Sequence, residues 1–458
     1  MADGEALPAY TEPIAGVPRE PVVHCIQLET SKQKAWVTLT IQSRARNAQQ
    51  LPEFLEGDKI TGSLDLDLDK GDSIIAISVS VVGILTFPDS ASGGVHESKQ
   101  DVFLNVSRTL WNLGMGDPCS VNSTSTSTSR QKFTAKLLGK YSFAFTLELG
   151  REVSYKLPKQ IATKVGDDGL PKPYRLPPTC EEGVGEFSIH YELVAHLQRG
   201  TFKADTRLGR KLVYSPHLQP DPPSALRQLV YQENADFLLG PHGDPLGWHT
   251  VQTAIIEGTI FKMRHVELRC TLSLARPLCY TRGSIIPLSL LIESQDQQAL
   301  DLFATPYAIR VCLVRRQTCH PGIKSKVKDT MKLIDGHYLV SSKEIEFAAW
   351  WPDRTPQEVP GSAERRVLQG EIRIPSMAIP SASFAILNIS YFVATLPFSV
   401  AAFEAGGDSP RSGNIITVPV TVGTVYANGP QPKAFTPPGY KNHLTTTRAT
   451  YSRHESFA

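Results

Sequence analysis

The chain reads as an all-β protein, with two tandem antiparallel β-sandwiches of the immunoglobulin-like class and disordered termini. Three observations predict this. Apolar residues recur at period two in short runs bounded by turn residues, the signature of half-buried strands. Helical periodicity is confined to one short segment. A set of landmarks in the first half of the chain returns, in the same order, in the second.

Taken in order, residues 1–20 are expected to be a disordered N-terminal segment. Strands are expected at 22–28, 35–42, 60–68, 74–87, 133–137, 141–149 and 186–198, which together make a first sandwich over 21–215. The run 74–87 is long enough for two strands or one bent strand. Residues 120–130 are nearly pure Ser and Thr, a solvated loop with nothing to bury. The Pro-rich run 215–223 is a stiff spacer. After it, Ser224 is the expected N-cap of a helix over 224–239, with Leu226, Leu229, Val230 and Leu238 on one face and Gly240-Pro241 as the stop. Residues 216–247 are therefore assigned to a linker. Strands at 254–261, 266–274, 285–292, 309–314, 368–374, 385–395 and 414–425 make a second sandwich over 248–426, interrupted by an irregular stretch at 318–366. Residues 427–458 turn Pro- and Thr-rich and are expected to be a disordered tail.

Composition narrows the function classes. A length of 458 residues suggests two or three domains. Lys plus Arg number 47 against 45 Asp plus Glu, a net charge of +2, without the basic excess of a nucleic-acid binder. The 7 cysteines are odd in number and include no C-x-x-C pair, so neither a disulfide framework nor a zinc site is expected. Reduced thiols in a cytoplasmic protein are the simplest reading, and the acidic start Met1-Ala2-Asp3-Gly4-Glu5 carries no signal peptide. Residues 374–403 lack charge but contain Pro375, Pro380 and Pro397; their alternation suits a buried strand better than a membrane span.

The repeat is specific in its residues. Phe54-x-x-Gly57-Asp58-x-Ile60-x-x-Ser63-Leu64 aligns with Tyr280-x-x-Gly283-Ser284-x-Ile286-x-x-Ser289-Leu290, a turn feeding a strand. Farther along, Ile189-x-Tyr191-x-Leu193 aligns with Ile389-x-Tyr391-x-Val393. With Gly62, Tyr141-Ser142-Phe143-Ala144-Phe145-x-Leu147, Leu176-Pro177-Pro178 and Ile286-Pro287-Leu288, these landmarks make the chain resemble the arrestin family, in its alpha-arrestin branch, over roughly 22–425. The Ser/Thr loop, the helical linker and the irregular stretch at 318–366 depart from that pattern. The resemblance implies tandem arrestin-like sandwiches and a trafficking adaptor rather than an enzyme.

The most informative short motif is Thr436-Pro437-Pro438-Gly439-Tyr440. In a polyproline II helix, three residues per turn set Pro437 and Tyr440 on one face, a ridge that the aromatic groove of a WW domain reads. Leu7-Pro8-Ala9-Tyr10 is a less complete version at the other end, and two such motifs would bring avidity with tandem WW domains. The resemblance implies that the WW partner is a HECT-type ubiquitin ligase, brought to the cytosolic tails of membrane transporters or receptors at the plasma membrane or endosomes. An arrestin-fold scaffold or coat component in endosomal sorting, working without a ligase, is the alternative.

Arg199, Lys203, Arg207, Arg210 and Lys211 form a basic cluster, a candidate contact for anionic lipid. Catalytic patterns are weaker. Asp65, Asp67 and Asp69 lack the glycine and terminal acid of an EF-hand and are expected to face water. His190, Glu192 and His196 share one strand face with no second ligand cluster in the sequence. No cofactor, metal or nucleic acid is expected, and a β-sandwich glycosidase would need a facing carboxylate pair that no strand face offers.

Overall fold

The computed structural model describes residues 20–31, 33–88, 98–118, 133–181, 187–200, 203–319, 333–334, 337–353, 364–401, 403–406 and 414–440. Its regular structure is mostly β-strand in antiparallel sheets, an all-β fold. In the first half, β1 (Val22–Glu29), β2 (Ala35–Ser43), β4 (Lys59–Asp72) and β7 (Leu137–Glu148) form a four-stranded sheet in that order. A five-stranded sheet runs β3 (Glu53–Leu55), β11 (Thr206–Ser215), β10 (Ser188–Arg199), β5 (Ile74–Pro88) and β6 (Ser98–Asn112). Alternation aims Val37, Leu39, Ile41, Leu64 and Leu66 of the first sheet and Ile77, Val79, Val81, Tyr191 and Leu193 of the second into one core. A small hairpin, β8 (Glu152–Tyr155) with β9 (Lys172–Arg175), closes around helix α1 (Lys159–Val165).

The second half repeats the plan. One sheet runs β20 (Ala349–Pro352), β21 (Arg365–Arg373), β16 (Ile285–Glu293), β14 (Arg264–Ala275), β13 (Ala254–Ile260) and β24 (Phe403–Ala405), with β12 (Trp248–Thr250) also on β14. The other runs β15 (Cys279–Thr281), β25 (Ile416–Gly423), β23 (Leu387–Thr395), β17 (Val311–Cys319), β19 (His337–Phe347) and β18 (Leu333–Ile334), with β22 (Ala382–Phe384) on β23. Set side by side, β1-β2-β4-β7 corresponds to β13-β14-β16-β21, and β3-β11-β10-β5-β6 to β15-β25-β23-β17-β19.

The aligned landmarks occupy equivalent places. Phe54 and Tyr280 lie in the three-residue strands β3 and β15, each of which pairs parallel with the last strand of its half. Gly57 (φ 91°) and Gly283 (φ 84°) make the turns that follow, in the left-handed region where a side chain is disfavoured. The buried Tyr191 hydroxyl donates to the Pro177 carbonyl at 2.7 Å, and the buried Tyr391 hydroxyl to that of Ile379 at 2.5 Å.

Of the two forms expected for the run 74–87, the structure has one bent strand, with irregularities in its pairing with β6 at Ile77/Ser78 and Gly83/Ile84. Other expectations need correction. The runs expected at 133–137 and 141–149 reduce to a single strand, β7. The stretch 318–366 is not wholly irregular, because β19 and β20 within it pair with β17 and β21. The linker helix α2 is shorter than expected, Ala225–Gln232, although Ser224 does cap it by accepting from the Arg227 amide. It buries Arg227, Val230 and Tyr231, while Leu226 and Leu229 are exposed. A third short helix, α3 (Gln297–Phe303), packs Leu300 and Phe303 into the core. Cys25, Cys270, Cys279 and Cys319 are free thiols. Among the described residues no helix is long and apolar enough to cross a membrane.

Candidate partner-binding site

The basic cluster divides. Arg199 ends β10 on its inward side and is not a surface contact, because its guanidinium grips Asp72 with Nε at 3.0 Å and Nη2 at 2.9 Å. Lys203 meets the same carboxylate at 3.0 Å, and Lys211 pairs with Glu181 at 2.8 Å. Arg210 falls on the same side of β11 as the buried Leu208 and Leu212, near enough for its charge to act on His24. Arg207 is left exposed on the opposite face. Alternation thus splits a cluster that is contiguous in sequence, and its members do not form one basic surface.

The acidic and histidine sets face outward as expected. Lys34 bridges Asp67 and Asp69 at 3.3 and 2.6 Å, and Ser142 donates to Asp65 at 2.5 Å. His196 pairs with Asp205 at 2.9 Å. His190 is held below the ordinary histidine value by burial and by the charge of Lys211. Among the described residues no three His, Cys, Asp or Glu side chains gather to hold a metal.

The segment after β25 departs most from expectation. Rather than a disordered tail from 427 onward, residues 424–440 are laid along the linker and the second half. Thr424 and Val425 donate their amides to the Leu218 carbonyl at 2.8 and 3.1 Å, and Gln219 Nε2 donates to Tyr426 O at 2.8 Å. Lys433 Nζ reaches the carbonyls of Asn234 and Ala235 at 3.2 and 3.3 Å, just past the end of α2. Phe435 packs on the cluster of Val230, Leu238, Trp248 and Ala275 and stacks on Tyr231 at 6.1 Å. This apolar contact is what a Pro-rich segment needs to offset its ordering entropy.

Glu371 fixes the register of this strap. It sits in β21, paired with Pro287 and Ala349, and is only 5% exposed. One carboxylate oxygen accepts from the Phe435 amide at 2.6 Å; the other accepts from the Thr436 amide at 3.1 Å and its hydroxyl at 2.6 Å. Burial raises the Glu371 carboxyl above its usual value, and these hydrogen bonds offset the rise only in part. Two residues earlier on the same strand, Gln369 donates to Leu238 O at 3.1 Å. The covering layer is therefore pinned by two polar side chains of β21.

Beyond the clip, Pro437, Pro438, Gly439 and Tyr440 make a tight turn. The Tyr440 amide donates to Pro437 O at 3.1 Å, and Gly439 has φ 98°. Proline followed by a positive-φ glycine is the type II pattern, so Gly439 breaks the continuous polyproline II ridge expected from sequence. Pro438 and Gly439 are exposed, while Pro437 and Tyr440 are half-buried. Substituting Gly439→Ala costs the turn about 1 kcal/mol and should shift it toward the extended form. Amide exchange at Tyr440, faster in the variant by roughly 5-fold, is the check.

Leu7, Pro8 and Tyr10 lie outside the described residues, as do the Ser/Thr loop 120–130 and residues 441–458. Sequence reasoning missed Glu371 and Phe435, and gave Thr436 no role beyond opening the Pro-rich motif. Phe435, a large aromatic side chain within a Pro-rich run, was the one visible signal. No protein-family model and no curated protein matches the chain.

Proposed function

We propose that the chain is an arrestin-like trafficking adaptor: tandem β-sandwich domains engage the cytosolic tails of membrane transporters or receptors, and the Pro437-Pro438-Gly439-Tyr440 motif recruits a WW-domain ubiquitin ligase of the HECT type. On this reading it works in the cytoplasm and is recruited to the plasma membrane or endosomes. The observation that carries it is the motif's position, a half-exposed turn at the end of a strap that holds it on the protein surface. The duplicated strand order supports the tandem-domain part.

Recognition requires the turn to open into a ridge with Pro437 and Tyr440 on one side. Only the Gly439 backbone must change, at the expense of one exposed hydrogen bond worth about 1 kcal/mol. In pull-downs with isolated WW domains, Pro438→Ala and Tyr440→Ala should each lower capture at least about tenfold, and Gly439→Ala should not weaken it. Capture undiminished in a Tyr440→Ala, Tyr10→Ala double variant refutes ligase recruitment and favours a scaffold that works without a ligase.

A further inference from the structure

We propose that Thr436 is a phosphorylation site for an ATP-dependent kinase that reads a Ser/Thr-Pro pair, and that phosphate there releases the strap from the second half of the molecule. Thr436 is followed directly by Pro437. Its hydroxyl donates to Glu371 Oε2 at 2.6 Å, beside its own amide and that of Phe435. The Glu371 carboxylate is buried and offers only acceptor atoms to this segment.

In the transfer, Thr436 Oγ1 bonds to the γ-phosphorus of ATP. The bond from that phosphorus to the β–γ bridging oxygen breaks, ADP leaves with the electron pair, and the hydroxyl proton passes to the kinase's base. The product replaces a donor with acceptor oxygens carrying about −1.5 to −2 charges. At hydrogen-bond distance from a buried carboxylate, such a group cannot re-enter the site. The hydroxyl is engaged in the closed state, so the kinase captures the strap when it lifts, and the phosphate prevents its return.

Release has two consequences. Phe435 leaves Tyr231, Val230, Leu238, Trp248 and Ala275, uncovering an apolar seat between α2 and β12. It also frees Pro437 to Tyr440 from their anchor, a consequence that rests on the WW-ligand reading above. Arg373, exposed on the same side of β21, lies near enough for its charge to act on Glu371. A phosphate caught by Arg373 would keep the strap in place, and the experiment separates that outcome.

The full chain is treated with ATP and a recombinant proline-directed kinase, the modified residue is mapped by mass spectrometry, and amide exchange is followed at Phe435 and Thr436. Both amides should exchange at least about tenfold faster once Thr436 carries phosphate. Thr436→Val, which keeps the shape but accepts no phosphate, should not respond to the kinase. Glu371→Gln should already exchange faster without it. Unchanged protection in the Thr436-phosphorylated chain overturns the proposal. So does absence of phosphate from the chain when a peptide of residues 430–440 is modified under the same conditions. Faster exchange with no WW capture either before or after phosphorylation would leave the latch standing and count against ligase recruitment instead.

Discussion

Replacing Phe384 with alanine should cost about 3–5 kcal/mol and uncouple the unfolding of the two halves. Phe384 ends β22 in the second half, yet its ring lies 4.9 Å from Phe103, 5.5 Å from Tyr155 and 5.4 Å from Tyr174, all in the first. It is 1% exposed. Aromatic pairs of this geometry each add about 0.5–1.5 kcal/mol beyond the area they bury. The polar links around it are weaker substitutes. Arg282 meets Glu53 at 2.9 Å, but this is a single, partly buried ion pair whose attraction is offset by the desolvation of both charges. Gln317 reaches Phe187 O only at 3.3 Å. Calorimetry on the wild type should show one transition, and on Phe384→Ala two. Phe303→Ala is the comparison: that ring packs on Phe398 and Phe403 within the second half, so its loss should lower the melting temperature of that half without touching the contact between them. A single, unshifted transition for Phe384→Ala would refute this account.

The strands legible in sequence are those in which one face is uniformly apolar. Val37, Leu39 and Ile41 in β2, or Ile189, Tyr191 and Leu193 in β10, alternate without interruption, and their limits fell within a residue or two of expectation. β6 was missed because its alternation slips: Phe103 and Leu104 are both buried at the irregularity opposite Gly83/Ile84, and a period-two reading fails there. β11 was missed because Arg207 and Lys211 crowd its outer face and Arg210 interrupts the apolar inner one. In α2 the apolar Leu226 and Leu229 suggested the wrong buried face. Arg227 takes that role, lying over the Trp248 ring at 5.0 Å and donating to Arg276 O and Gly247 O at 2.7 Å each.

The candidate site was half visible for a similar reason. Pro437, Pro438 and Tyr440 announce themselves by residue type. Glu371 occupies an outward position of an alternating strand, where a carboxylate ordinarily meets water. What covers it arrives from far along the chain, and local pattern holds no record of that contact. The basic cluster failed the opposite way. Proximity in sequence suggested one surface, whereas strand alternation and nearby acids distribute its members among separate tasks.

Of those tasks, the grip on Asp72 has the largest expected consequence. Asp72→Asn should destabilise the first half by about 3–5 kcal/mol, because it leaves Arg199 buried without its counter-charge. The Asp72 side chain is 12% exposed and that of Arg199 is 9% exposed. Arg199 also donates to Ala204 O at 3.0 Å and to Thr206 Oγ1 at 2.5 Å, and it lies over the Trp36 ring at 5.5 Å. These contacts hold it in place when the carboxylate is gone. A paired Asp72→Asn, Arg199→Met variant should therefore lose less than the sum of the single changes, a coupling that a double-mutant cycle measures from urea midpoints. The pH dependence gives an independent check. Burial alone raises the Asp72 carboxyl, but hydrogen bonds from Arg199 and Lys203 outweigh it and leave the group below its usual 3.8. A carboxyl depressed in the folded state contributes stability that is complete above the unfolded value and is lost as pH falls through the folded one. The wild type should thus lose its advantage over Asp72→Asn as pH drops below about 4. Parallel stability curves for the two proteins through that range would show that the pair does not carry the effect, and the destabilisation would then belong to packing around Trp36.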